Sequence, residues 1–444
     1  MYDAVFTERL HKPAVVLVNE GFCFDAQSAA AGKGMPGVRF VSETVPCECT
    51  VQDKIEVGTR AAIDEVIAAL TRPLTAEEQD PPPRETDSSN GVVFKGELRE
   101  VQHFFYRRGW TDGLPIIPPT AEAVREMLTG TDLPPDHLVG KMMPRQGKVT
   151  VEKIAINAVM AGALPTAMPL LVAAVEALLD RNTGFGTWQV STGSWAPFWI
   201  VNGPIREQLH INSGSGALSP GDIANASIGR AIGLLVKNLG GARKAIEDMG
   251  VLGNPGKYTM VIAENEEASP WEPLHVQHGF EQQDNTVTVS APNSYLQIWP
   301  YGSDDKGILR AITSNMVPRW KRLTLMLPPG HAQTMADAGW SKAEIASWLY
   351  EYARVPAYKT PDFWGTPGLA RMVRPLRPAL NPEDPAPLLT GPDGLRVVVV
   401  GGPGSFMGLA YGASGWTTKQ VRLPAAWDSL VRKYRNLVPN YLRY

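Results

Sequence analysis

Between residues 13 and 70 the apolar positions change period twice. "PAVVLVN" (13–19) is a short β-branched run bounded by Pro and Gly, which predicts a strand. "FDAQSAAAGKG" (24–34) is alanine-rich and ends in glycines, which predicts a short helix with a C-terminal stop. "VRFVSETV" (38–45) predicts a second strand. From Ile55 the apolar residues Ile63, Val66, Ile67 and Leu70 fall at helical spacing, with Thr50 and Asp53 as a weak capping box. The order β-α-β-α implies a parallel sheet with right-handed crossovers. It is too short for a complete doubly wound domain.

Further along, "EEQDPPPRETDSSNG" (77–91) is polar, proline-rich and without period, which marks a linker. "GELREVQHFFYRRGW" (96–110) predicts an amphipathic helix, "TDGLPIIPPT" (111–120) a rigid loop, and "AEAVREML" a helix capped by Thr120. "VEKIAINAVMAGAL" and "TAMPLLVAAVEALLD" predict buried helices. "TWQVSTGSWAPFWIVNG" (187–203) predicts strand, turn, strand. "NSGSGALSPGD" (212–222) is a Gly/Ser loop that feeds a helix, "IANASIGRAIGLLVKNLGG" (223–241), ended by Gly-Gly. "YTMVIAEN" and "NTVTVSAP" predict strands, and "GLRVVVVGGPGS" (394–405) a buried strand running into a glycine-rich turn. The expected organisation is a partial Rossmann-like α/β unit over 1–76 carrying all the cysteines, a linker over 77–95, a large mixed α/β domain over 96–385, and a C-terminal strand and turn over 386–444 packing on one of the sheets.

Composition narrows the class. Of 444 residues, 44% are hydrophobic and 20% charged, as in ordinary soluble globular proteins, and the length is enough for several domains. The net charge of -3, with no basic patch, argues against nucleic acid as a partner. The N-terminus lacks the basic-then-apolar layout of a secretory signal. The best membrane candidate, "AVMAGALPTAMPLLVAAVEALL" (158–179), is broken by Pro165, Pro169 and Glu176, and reads as a buried helical hairpin or a bent core helix rather than a bilayer span. Three cysteines are not a secreted disulfide scaffold. A cytoplasmic, reducing setting is expected.

Those three, Cys23, Cys47 and Cys49, all lie in the first fifty residues. In an open parallel sheet, ligands sit beyond the carboxyl ends of the strands. Cys23 follows the first strand, and Cys47 and Cys49 follow the second, so one crossover should gather them at one sheet edge. Cys23 also begins a helix, and Cys49 precedes a candidate N-cap; helix N-termini favour the thiolate. Glu20, Asp25, Glu43 and Glu48 oppose it with negative charge. Three readings compete with simple burial of small side chains. Cys23 is a nucleophile with Cys47 or Cys49 resolving; or the three thiolates ligate a soft transition metal; or they form a redox pair that reports oxidation. Glu20 and Glu48 are the nearby acid/base candidates.

Outside this unit, "VIAENEEASPWEPLHVQHGF" (261–280) gathers Glu264, Glu266, Glu267, Glu272, His275 and His278, and Pro270 and Pro273 predict a loop. Asp112 sits in an Asp-Gly turn between rigid flanks. The 212–222 loop could cradle an anion at a helix N-terminus, with Arg230 two turns along. Asp112, Glu264, Glu267, His275 and Arg230 would line the substrate side if the two domains closed on one cleft. "GNPGKYT" is no phosphate loop: Val251 stands where a glycine is needed and Tyr258 replaces Ser or Thr. Gly402, Gly404 and Gly408 miss the dinucleotide spacing by one and Pro403 removes an N–H, which argues against NAD.

Taken in order, "PAVVLVNEGFCFDAQSAAAGKGMPGVRFVSETVPCECT", "WTDGLPIIPPT", "EKIAINAVMAGALP", "IVNGPI", "IGRAIGLLVKNLGGA", "PGKYT" and "AENEEASPWEPLH" resemble the UGSC-family (seleno)proteins and the larger domain often joined to them. That family is named for a selenocysteine- or Cys-Gly-Ser-Cys motif, and no Gly-Ser-Cys occurs in this chain. The resemblance implies thiol or selenol chemistry on a small molecule, and either a partner subunit carrying the motif or use of this chain's own thiols. The expectation is an oligomeric α/β enzyme or enzyme subunit doing thiol-based redox or lyase chemistry, with Cys23 reactive. The alternatives are a metal-dependent lyase or hydratase with the three cysteines as ligands, and a non-catalytic subunit that completes another chain's active site.

Overall fold

The computed structural model describes residues 1–45, 51–79, 91–299, 304–318, 322–360, 381–412 and 415–437. The N-terminal unit holds the expected β-α-β-α order behind a leading helix, α1 (Tyr2–Arg9). Strands β1 (Val16–Asn19) and β2 (Phe40–Glu43) pair in parallel, Val16 opposite Phe40 and Asn19 opposite Glu43. Helix α2 (Cys23–Gly32) is the crossover, and its alanines let it lie close: Ala26 and Ala30 are buried, and Ala30 packs with Ala4, Val5 and Val38. Helix α3 (Gln52–Thr71) follows, with Val51 at its N-cap position and no side-chain cap; Thr50 lies outside the described residues. The Arg39 guanidinium closes the unit, bonding the carbonyls of Ala69, Arg72 and Pro73 and the Glu78 carboxylate.

The rest of the chain builds two four-stranded sheets. The first has the order β14-β7-β5-β6: β5 (Phe198–Asn202), β6 (Val261–Ala263) parallel to it, β7 (Thr286–Ser290) antiparallel on its other side, and β14 (Thr417–Gln420) at the edge. The second has the order β12-β9-β13-β8: β8 (Pro292–Ile298), β9 (Arg322–Leu327), β12 (Leu395–Val399) and β13 (Met407–Gly412), with β12 and β9 parallel. Two antiparallel pairs complete the strands of the described residues, the hairpin β3 (Leu138–Met142) with β4 (Gly147–Thr150), and β10 (Arg354–Pro356) with β11 (Pro385–Pro387).

Side chains alternate between the faces of a strand, and that alternation orders the layers. Trp199 and Val201 of β5 pack into a core with the helices Val151–Ala161, Met168–Leu179 and Ile223–Leu235. Phe198 and Ile200, on the other face, pack with Met326, Val398 and Ala410 of the second sheet. Leu325, Val397 and Leu409 point the other way, into a core with the helices Asp305–Asn315 and Lys342–Tyr352. The body is therefore four layers, helix–sheet–sheet–helix. Its central strand is buried throughout, and each large apolar side chain there contributes about 1.5–3 kcal/mol.

The apolar stretch 158–179 is the expected hairpin, two buried helices parted by a 3-10 turn that starts at Pro165. No helix among the described residues is long and apolar enough to cross a membrane. Thr120 caps the helix Ala121–Leu128, its Oγ1 accepting from the Ala123 N–H at 3.2 Å. The stretch 187–203 differs from expectation. Only its second half is a strand; Phe185–Trp188 is a helical turn, set by Gly184 at φ 66° and by the Trp188 ring N–H bonding the Thr183 carbonyl at 3.0 Å. The strand in "GLRVVVVGGPGS" joins the second sheet.

Candidate functional site

Asn19 ends β1 and turns the chain. Its side-chain oxygen accepts from the Gly21 N–H at 3.1 Å, and its amide donates to the Val45 carbonyl at 2.5 Å. This Asx turn makes the one-turn 3-10 segment Glu20–Phe22 and delivers Cys23 to the first position of α2. Cys23 is half-buried, with its Sγ 3.5 Å from Ser42 Oγ on β2 and 3.9 Å from the Asn19 carbonyl. It therefore sits at the carboxyl edge of the parallel pair, at the first position of α2. Glu20 is exposed on the same turn. Glu43 steadies the site from β2, accepting from the Val45 N–H at 2.6 Å. Cys47, Glu48 and Cys49 lie outside the described residues. Among the described residues, no group of three or more His, Cys, Asp and Glu side chains is arranged to hold a metal ion.

The far side of α2 docks on the large body. Ser28 donates to Glu247 Oε1 at 2.6 Å, buried, and Glu247 is also held by Arg243, whose Nε lies 2.9 Å from Oε2. Burial pushes the Glu247 carboxyl up, but the bonds from Arg243 and Ser28 outweigh it and leave it below its ordinary range. Asp25, one turn before Ser28, is pushed up to about 6, first by burial and then by the Glu247 charge. Gly32 lets the backbones touch: a Cβ there would lie 3.1 Å from the Arg145 Cα and the Pro144 carbonyl oxygen.

A second polar centre lies at the carboxyl ends of β5 and β6. Glu264, directly after β6, is fully buried with both oxygens engaged. Oε1 takes Lys342 Nζ at 3.0 Å; Oε2 takes Asn202 Nδ2 at 2.6 Å and the Leu274 N–H at 2.7 Å. Glu266 takes the Gly203 N–H at 2.8 Å and Arg206 Nε at 3.0 Å. Glu267 takes Arg206 Nη2 at 2.7 Å, and that bond holds its carboxyl low. His275 is fully buried on the one-turn helix Leu274–Gln277. His278 stands between Thr418 Oγ1, 2.6 Å from its Nδ1, and Arg396 Nε, 3.2 Å from its Nε2. The Arg396 donor leaves Nε2 as acceptor and places the proton on Nδ1. Burial, with the Arg396 charge second, lowers His278 to about 4, so the ring is neutral at pH 7.

The carboxylates picked from the sequence thus meet cations that it did not single out, Arg206 and Lys342. Asp112 and Arg230 form a separate pair, with Nε 2.7 Å from Oδ2 and Nη2 3.0 Å from Oδ1. Arg230 also bonds the Pro115 carbonyl at 2.7 Å, which ties the 111–120 loop to the helix Ile223–Leu235. That helix runs against β6: Asn225 bonds the Val261 carbonyl, Gly229 abuts Thr259, and Gly233 faces the Lys257 carbonyl. Arg230 is therefore set back from the carboxyl edge where Glu264, Glu267 and His275 meet. Among the described residues the partners of Cys23 are Asn19 and Ser42, and it shares neither with these five. In place of the expected common substrate side, Asp112 and Arg230 are committed to each other, Glu264 to Lys342 and Glu267 to Arg206.

The fold and its N-terminal site define an α/β protein with a thiol at the carboxyl edge of a parallel strand pair. Residues 1–72 match the model of the UGSC family. No curated protein and no solved structure matches the chain.

Proposed function

We propose that Cys23 is the reactive thiol of an enzyme that acts on a small organic molecule by redox or lyase chemistry. The observation that carries this reading is its place: first residue of α2, half-buried, at the carboxyl edge of β1 and β2, with Ser42 Oγ at 3.5 Å. A thiolate there would attack an electrophilic centre, with Ser42 donating to the sulfur and exposed Glu20 carrying protons. In the redox form Cys47 or Cys49 would then close a disulfide with Cys23, the two thiols giving two electrons and two protons to an oxidised substrate. A cytoplasmic setting would keep these thiols reduced. Replacing Cys23 with Ala should abolish turnover and leave the thermal midpoint unchanged, because the site is half-open and the helix keeps its Ala26 and Ala30 packing. Full activity in that variant would overturn the assignment.

A second reading has its own support. The β1–β2 pair is a two-stranded sheet, and such a sheet is marginal alone. Within the twenty-residue α3 only Ala62 is buried, while Ile55, Val57, Ile63, Ile67 and Leu70 face solvent. We propose that a partner subunit adds a strand to this sheet and covers α3, as a carrier of the Sec/Cys-Gly-Ser-Cys motif would. Mass measurement of the assembly from the native host tests this. A heteromer that falls apart when Ile63 and Ile67 become Glu supports it; a monomer with the same Cys23-dependent activity contradicts it.

A further inference from the structure

The helix Ile223–Leu235 starts without a side-chain cap. Asp222 stands at the N-cap position, but its carboxylate turns aside to accept from Asn212 Nδ2 at 3.0 Å. Among the described residues nothing accepts from the first-turn N–H groups of Ile223 and Ala224. Ile223 and Ala224 line a cavity of about 170 Å³ that Ser227 also lines, one turn on from Ile223. Ser227 is 5% exposed, and among the described residues its buried hydroxyl has no hydrogen-bond partner. Thr166, also buried, lines the same cavity. The other polar side chains of the wall are already engaged. Gln208 accepts from the Trp427 ring at 2.9 Å, His210 bonds the Arg435 carbonyl at 2.8 Å, and Tyr434 donates to Glu126 at 2.6 Å. Leu164, Leu209 and Leu437 make the rest apolar.

A buried hydroxyl and an uncapped helix start are both donors in want of an acceptor oxygen. The Asp222 carboxylate in the same wall disfavours a second negative charge and favours an N–H donor. We propose that this cavity binds a short-chain aliphatic primary amide. Its carbonyl oxygen lies on the Ser227 hydroxyl and the N–H groups of Ile223 and Ala224, its NH2 faces Asp222, and its alkyl chain lies against Leu164 and Leu209. The volume suits a ligand of about seven heavy atoms, slightly more than fills an apolar cavity of about 150 Å³. The site is distinct from Cys23. None of the residues that line it is a partner of Cys23, and α2 meets the body elsewhere, where Gly32 abuts Arg145 beside Gly241 beyond the far end of the same helix.

The experiment is ligand-observed NMR and calorimetry on the full chain with isovaleramide and isovalerate as probes. Isovaleramide should bind with a Kd of about 1 mM, the level expected for so small a ligand. Isovalerate should bind several-fold more weakly. Ser227→Ala should weaken isovaleramide about fivefold, the loss of one hydrogen bond, while leaving the melting temperature of the free protein unchanged or raised. Ala224→Leu, which fills the cavity mouth, should abolish binding. No isovaleramide binding to the folded wild type, or equal binding in all three proteins, overturns the proposal. Isovalerate binding tighter than the amide overturns the ligand class.

Discussion

Ser28 and Glu247 lie 219 residues apart in sequence and 2.6 Å apart in space, hydrogen-bonded and buried. This contact joins the N-terminal unit to the four-layer body. Removing the hydroxyl by Ser28→Ala should weaken the docking by about 1–2 kcal/mol, because Glu247 keeps Arg243 as a partner. Hydrogen exchange should show it as faster exchange in α2, with the central strand β5 unchanged. Equal protection of α2 in both proteins would mean the unit is held by other contacts.

Asp25 gives the same interface a pH dependence. Its carboxyl is raised in the folded protein from an ordinary value near 3.8 to about 6. Between these values the folded state binds more protons than the unfolded one, so stability falls as pH rises through about 6. Asp25→Asn removes the charge that burial and Glu247 oppose. The variant should melt higher than wild type at pH 7.5, and the difference should vanish near pH 4. The melting temperatures of both proteins across that range are the check.

His278 works in the opposite direction. Its folded value, lowered from 6.5 to about 4 by burial and Arg396, means the unfolded state binds the extra proton first on acidification. Stability contributed by the neutral ring is present above pH 6.5 and is lost as pH falls toward 4, by about 3 kcal/mol at most. A His278→Gln variant should lose that part of the acid slope in denaturant titrations at pH 7 and pH 5. An unchanged slope would show that the ring is charged in the fold.

Lys342 and Glu264 form a buried pair between the helix of one layer and the strand end of another. Lys342→Met alone leaves Glu264 buried without its cation and should cost about 3–5 kcal/mol. Glu264→Gln on that background should recover part of the loss, because the remaining carboxamide still meets Asn202 and the Leu274 N–H. A double-mutant cycle in urea measures this; additive losses would remove the pair from the account.

The sequence carried the N-terminal unit well, because β-branched runs, an alanine helix and a glycine stop are local signals. It placed Cys23 at the carboxyl edge of β1 for the same reason. The first of the two strands expected within 187–203 failed because one glycine at positive φ and one indole N–H bend that segment into a turn. The carboxylate-rich loop 261–280 was visible, but its meaning was not. Arg206 is about sixty residues from Glu266 and Glu267, and Lys342 is 78 from Glu264, so no local pattern announces that these charges cancel inside the fold. Asp112 and Arg230 were each visible, and their pairing across 118 residues was not. The four-layer stack likewise depends on which faces of β5 and β9 meet, which period-two alternation allows but does not assign.

The measurement that tests the central claim most directly is the alkylation rate of Cys23, resolved by peptide mass, with iodoacetamide at pH 7 on native and urea-unfolded protein. A thiol at the start of α2 and beside Ser42 should react faster in the native state than in the unfolded chain, despite being half-buried. A native rate equal to or below the unfolded one would make Cys23 an ordinary small side chain under a helix, and the thiol-enzyme reading would fall.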